Sequence, residues 1–173
     1  NQPCGYPMKR IAFFLTGWTL TTFIVQLAEA LAGRGVPVDI FCDRNHSPLI
    51  DAVRLEASPL IRLLPQRTAF CPPRTRAECA RFLQETCAEI FPFGHALEYG
   101  AVVGIEKVGV ALAFLAAKEW KVPLAYWSLE LYDMHHREWA ASMLCPECWL
   151  EMERLAHKAA LVTIVQDNER GDA

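Results

Sequence analysis

The sequence predicts an α/β fold, a three-layer sandwich in which a mostly parallel sheet of about six to seven strands carries helices on both faces. Three observations predict it. Strand-like and helix-like segments alternate through nearly all of the 173 residues. The strand-like segments are short unbroken apolar runs, the pattern of strands covered on both sides. A content of 53% apolar and 21% charged residues is enough to fill one core, and it excludes disordered and collagen-like classes.

The elements follow in order. Asn1 to Pro7 has two prolines and no period and reads as an upstream tail, with Met8-Lys9-Arg10 as the start of a single domain over 8–173. Ile11 to Leu15 is the first strand, and Gly17 breaks it. Thr21 or Thr22 can cap the helix that follows, whose stripe is Phe23, Ile24, Leu27, Ala28 and Leu31. Gly33 and Gly35 stop that helix and Pro37 forbids its return. Val36 to Cys42 is a strand, Ser47 to Glu56 a short helix, and Leu60 to Leu64 a strand ended by Pro65. Gln66 to Arg76 is a loop, and Glu78 to Ile90 is a helix. Ala96 to Ile105 is a strand that Gly100 and Gly104 loosen. Val108 to Trp120 is a helix apolar on most sides, hence deeply packed. Pro123 to Leu129 is a strand, Glu147 to Ala160 a helix, and Leu161 to Val165 a last strand. This succession calls for a Rossmann-like arrangement with right-handed crossovers, in which ligands sit at the carboxyl ends of the strands.

Charge and composition narrow the function. Seventeen basic and twenty acidic residues give a net charge of −3, which argues against a nucleic-acid partner. Seven cysteines is an odd number, and a core of this size needs no disulfides, so a reducing, cytoplasmic setting is expected. Residues 8–30 imitate a secretory signal, but a buried strand, a glycine and an amphipathic helix explain them better. The longest other apolar stretch, Val108 to Ala117, is about half the length of a membrane span.

Five constellations stand at or near strand ends. Gly17-Trp18-Thr19 at the first strand–helix turn can offer backbone N–H groups to a phosphate or sugar. It lacks the spacing of a dinucleotide site, and Trp18 is too bulky for a pyrophosphate to approach, so neither NAD nor FAD is expected. Glu106-Lys107 follows the fourth strand, where an acid and a base can contact a polar ligand or simply start the next helix. Gly104 and Gly109 have P-loop spacing, but Val110 stands where the lysine belongs. Ser128 to His136 gathers Glu130, Tyr132, Asp133, His135 and His136, a set suited to sugar hydroxyls or general base work, with no complete metal spacing. Cys145-Pro146-Glu147-Cys148 lacks the second pair a structural zinc needs and reads as two inert thiols, with a redox pair as the rival. Arg62, Arg67, Arg74, Arg76 and Arg81 share a stretch whose only acid is Glu78, which reads as a solvated loop and alternatively as a contact for phosphate or an anionic membrane.

Taken together these residues resemble the N-terminal domain of GT-B glycosyltransferases of the family 4 type. Met8 to Phe14 opens like their first strand, and Phe23 to Phe41 looks like their first helix and second strand. Gly104-Ile105-Glu106-Lys107 and Val122 to Leu131 match the middle of a subset of the family, and Glu153 to Arg170 resembles the last helix and strand. Two departures stand out: Gly17-Trp18-Thr19 replaces a Gly-Gly turn, and Glu106 stands where many members have a histidine. The resemblance implies the acceptor-side half of a retaining enzyme that moves a sugar from a nucleotide-sugar to a lipid, glycan or small-molecule acceptor. It implies a separate C-terminal donor-binding domain as partner, outside this chain, without which the chain is inactive. Donor or acceptor contacts are then expected at Gly17, Trp18, Thr19, Glu106, Lys107, Glu130, Tyr132 and His135. No metal and no cofactor beyond the nucleotide-sugar substrate is expected, and a cytoplasmic location with contact at the inner face of the membrane fits such an enzyme. The alternatives are a standalone Rossmann-like binding module and a GT-B sugar-nucleotide epimerase.

Overall fold

The computed structural model describes residues 8–16, 22–43, 55, 58–128 and 145–165. Six strands form one sheet: β1 (Arg10–Phe14), β2 (Val38–Asp43), β3 (Ile61–Gln66), β4 (Tyr99–Ile105), β5 (Leu124–Ser128) and β6 (Val162–Val165). Their spatial order is β3-β2-β1-β4-β5-β6, and every pairing is parallel. Four helices are described: α1 (Thr22–Gly33), α2 (Arg76–Ala96), α3 (Glu106–Trp120) and α4 (Pro146–Ala159). The expected α/β, Rossmann-like architecture is therefore present, with its order reversing between β1 and β4. The short helix expected over Ser47 to Glu56 lies outside the described residues apart from Leu55, which is helical and fully buried.

Alternation along each strand divides the core into two layers. On β1, Ile11, Phe13 and Leu15 face α1 together with Ile24, Ala28, Ile40 and Leu55. Ala12 and Phe14 face the opposite layer, where α2, α3 and α4 contribute Ile90, Val110, Leu112, Ala113 and Ala156. Phe14 stacks on Phe41 with centroids 4.9 Å apart, and Trp120 closes over both rings and lies flat on Tyr99 at 4.6 Å.

Three local expectations are corrected. α2 starts at Arg76, not Glu78, because Thr75 caps it by accepting from the Glu78 N–H at 3.2 Å while the Glu78 carboxylate accepts from the Arg74 N–H at 2.7 Å. The same helix runs through Pro92 to Ala96. Trp120 donates its indole N–H to the Phe91 carbonyl at 3.2 Å, and its ring covers Gly94 so closely that an added Cβ would lie 2.0 Å from it. Packing against the indole thus holds a turn that proline alone would end. Finally, Gly104 tightens the structure where loosening was expected. A Cβ there would lie 2.4 Å from the Val110 Cα, and one at Gly109 would lie 2.3 Å from the Phe14 carbonyl oxygen. The P-loop-like glycine spacing is the contact by which α3 seats on β4 and β1.

Candidate functional site at the carboxyl edge of the sheet

Each of the first five strands ends its apolar run on a buried polar residue. In spatial order across the sheet these are Gln66 (β3), Asp43 (β2), Thr16 (just beyond β1), Glu106 (just beyond β4) and Ser128 (β5). All are at most 5% exposed. Burying polar groups carries a cost unless they are paired, and the pairs are present. Thr16 and Gln66 share a 2.6 Å hydrogen bond between Oγ1 and Oε1, and the Asp43 carboxylate accepts from the Phe70 N–H at 2.9 Å. Gln66 Nε2 is the exception, buried with no hydrogen-bond partner. The Asp43 charge and burial together push the Cys42 thiol up to about 11, burial being the larger cause.

Glu106 is the most unusual member of this row. It is the first residue of α3, and its φ of 56° places a non-glycine residue in the left-handed region. Such a conformation costs on the order of 1–2 kcal/mol and persists only where the surroundings enforce it. Here the seating of α3 through Gly104 and Gly109 enforces it. Glu106 is the acidic residue in the first turn of α3, at the positive end of the helix dipole. It also lies at the switch point between β1 and β4, where ligands of doubly wound sheets bind.

Beside it, the next residue is tied to α4. Lys107, almost fully buried, places Nζ 3.5 Å from the Glu153 carboxylate, and the Tyr126 hydroxyl donates to the same carboxylate. Burial and then the Glu153 charge hold the Tyr126 phenol well above its ordinary range, so it stays protonated and remains a donor. Glu153 therefore joins α3, β5 and α4 just beneath the carboxyl edge.

Of the residues expected to contact a donor or acceptor, Glu106 and Lys107 are brought to this edge. Gly17, Trp18 and Thr19 lie outside the described residues, as do Glu130, Tyr132 and His135. The arginine cluster is dispersed. Arg62 points to the opposite, amino edge and binds Asp39 through Nε at 2.7 Å and Nη2 at 2.5 Å, while Arg76 pairs with Glu151 at 2.9 Å. Arg74 and Arg81 line a cavity of about 630 Å³ in the loop between β3 and α2, shared with Glu78 and Glu85. Thr16, Asp43 and Gln66 open strand ends at which the sequence places ligands, but sequence reasoning did not single them out as contacts. Their signal is the first polar residue closing each apolar run. Among the described residues no cluster of metal-ligating side chains is present, and no helix is long and apolar enough to cross a membrane.

The fold has known counterparts. Sucrose-phosphate synthase from Thermosynechococcus elongatus superposes with a TM-score of 0.69 at 17% identity, over 95% of this chain and 44% of that one. MurG from Acinetobacter baumannii gives 0.58 at 11% identity, over 90% of this chain and 40% of that one. Both are GT-B glycosyltransferases. The likeness establishes the fold. Phenylacrylic acid decarboxylase from Aquifex aeolicus also superposes, at 0.52 and 15% identity over 91% of this chain and 81% of that one. This chain thus spans less than half the length of the first two proteins and most of the third. No protein-family model matches the sequence, and neither does any curated protein.

Proposed function

We propose that this chain is the acceptor-side Rossmann-like domain of a GT-B glycosyltransferase of the family 4 type, which moves a sugar with retention from a nucleotide-sugar to a hydroxyl of a lipid, glycan or small-molecule acceptor. The observation that carries the reading is Glu106, a buried acid held in a strained backbone conformation at the switch point of the sheet. Strain of this kind gathers at functional sites, and the likeness to sucrose-phosphate synthase and MurG supports the choice of chemistry.

In this reading the Glu106 carboxylate accepts hydrogen bonds from acceptor hydroxyls and orients one of them toward the donor. Lys107, Tyr126 and Glu153 hold that end of α3 in place. The reading also expects donor or acceptor contacts from Gly17, Trp18 and Thr19, which follow β1 in the sequence, and from Glu130, Tyr132 and His135, which follow β5. A second domain binds the nucleotide-sugar, because transfer requires both reactants in one preorganised site.

The test is turnover of nucleotide-sugars by the full-length protein. Glu106→Gln keeps the shape and removes the charge, and it should lower kcat/KM by about 100-fold or more with an unchanged melting temperature. Turnover unaffected by the substitution would remove Glu106 from the site, and appreciable turnover by the 173-residue chain alone would refute the two-domain reading. A standalone binding module is the second reading, favoured by the match that covers 81% of the decarboxylase chain. It predicts no sugar transfer by any form of the protein.

A further inference from the structure

α2 and α4 bring three thiols together at their N-terminal ends. Cys145 is the N-cap of α4 and Cys148 stands three residues on, so the first turn of the helix places both side chains on one side. Their Sγ atoms lie 2.8 Å apart. Cys79 lies in the first turns of α2 and belongs to the same buried cluster. All three thiols are buried in one cluster with Phe82, Val108, Ala111 and Trp149. Arg76, the first residue of α2, is exposed and paired with Glu151 of α4 at 2.9 Å.

We propose that Cys145 and Cys148 are a redox-active dithiol, a site of reversible disulfide formation. A disulfide needs an S–S separation of about 2.05 Å, less than an ångström below the observed contact. The N-terminus of α4, which carries both sulfurs, favours the thiolate that must attack. Burial opposes it and pushes the Cys148 thiol up to about 12, with the neighbouring thiols adding to the effect. Cys145, at the N-cap where the helix end is nearest, is assigned as the sulfur that reacts first, and Cys148 as the one that resolves it.

With hydrogen peroxide as oxidant the step balances. The Cys145 thiolate attacks one peroxide oxygen, the O–O bond breaks, and the departing hydroxide takes a proton to leave as water. The product is a sulfenic acid on Cys145. The Cys148 sulfur then attacks the Cys145 sulfur, the S–O bond breaks, and hydroxide leaves as a second water with the Cys148 proton. Two thiols have lost two electrons and one peroxide has become two waters. A dithiol reductant reverses the bond by exchange. The helix that carries the pair also carries Glu153, so the disulfide would form on the element that braces Lys107 and Tyr126. The inference stands apart from the proposed sugar transfer.

The experiment exposes the purified chain to hydrogen peroxide, alkylates it with a maleimide in denaturant, digests it and weighs the peptides. The expected result is a 145–148 peptide lighter by two hydrogens, alkylated at least roughly tenfold less than before oxidation and restored by dithiothreitol. Buried Cys42 and Cys87 should alkylate fully throughout, and exposed Cys71 reports the dose. Full alkylation of Cys145 and Cys148 at a dose that oxidises Cys71 would overturn the proposal, as would sulfinic acid on Cys145 without a disulfide. In Cys148→Ser the sulfenic acid should persist and be trapped by dimedone; no adduct in a folded variant would also count against it. The wild-type measurement decides the matter if that variant does not fold.

Discussion

Asp39 shows what full pairing of a buried charge looks like in this molecule. Its carboxylate is inaccessible to solvent and accepts from Arg10 at 2.7 Å, from Arg62 at 2.7 and 2.5 Å, and from the Tyr99 hydroxyl at 2.6 Å. Burial, with the hydrogen bond to Asp39 next, raises the Tyr99 pKa well above its ordinary value and keeps that proton in place. Removing the acid leaves a buried phenol and two partly exposed guanidinium groups without their common partner. Asp39→Ala should therefore cost about 1–3 kcal/mol, the solvent-accessible arginines being partly rehydrated, read as a lower urea midpoint at unchanged slope. Nothing in the spacing of Arg10, Asp39, Arg62 and Tyr99 announces this network, since their meeting depends on strand order. Glu106 was legible as a polar residue after a strand, but its left-handed backbone was not. That conformation comes from where α3 must land to pack, which only the tertiary fold decides.

At the scale of elements, the seat of α3 is the most exacting joint. Gly109 lets the helix approach the Phe14 carbonyl to a distance that no Cβ tolerates. Gly109→Ala should cost about 1–3 kcal/mol, although alanine is the better helix former in isolation. Thermal denaturation of the variant checks this, and a gain in stability would contradict the packing account. Most element positions were legible because apolar runs and helical stripes are local signals. Sequence reading places the start of α2 two residues late, at Glu78, although the Thr75-x-x-Glu78 spacing of a capped helix carries the signal. Its passage through Pro92 was not legible. The compensating contact comes from Trp120, at the far end of another helix.

For the whole molecule, the chemistry of burial sets a limit in alkali. Burial raises Cys87 to about 12, and burial with the Asp43 charge raises Cys42 to about 11, against an ordinary thiol value of 9.0. Above that ordinary value the unfolded chain releases these protons while the folded chain keeps them. Stability contributed by the neutral thiols is thus intact below pH 9 and is lost as pH rises toward the folded values, by up to about 1.4 kcal/mol per pH unit for each thiol. Urea midpoints at pH 8 and pH 10.5 should differ accordingly, and Cys87→Ala should narrow the difference. The fold class was legible because βα alternation leaves few topologies open. The carboxyl-edge row was half legible, since a polar residue at a strand end gains meaning only once its neighbours across the sheet are known. The strand order has one more consequence, which concerns synthesis. β1 sits between β2 and β4, yet β4 begins at Tyr99, long after β1 ends at Phe14. At ordinary translation speeds the ribosome needs on the order of 5–15 s to make the intervening chain. During that time one edge of the central strand has no partner, and the layer containing Phe14 has no lid. A nascent chain paused before residue 99 should therefore recruit chaperones that bind extended apolar segments, and release them once β4 and α3 have emerged.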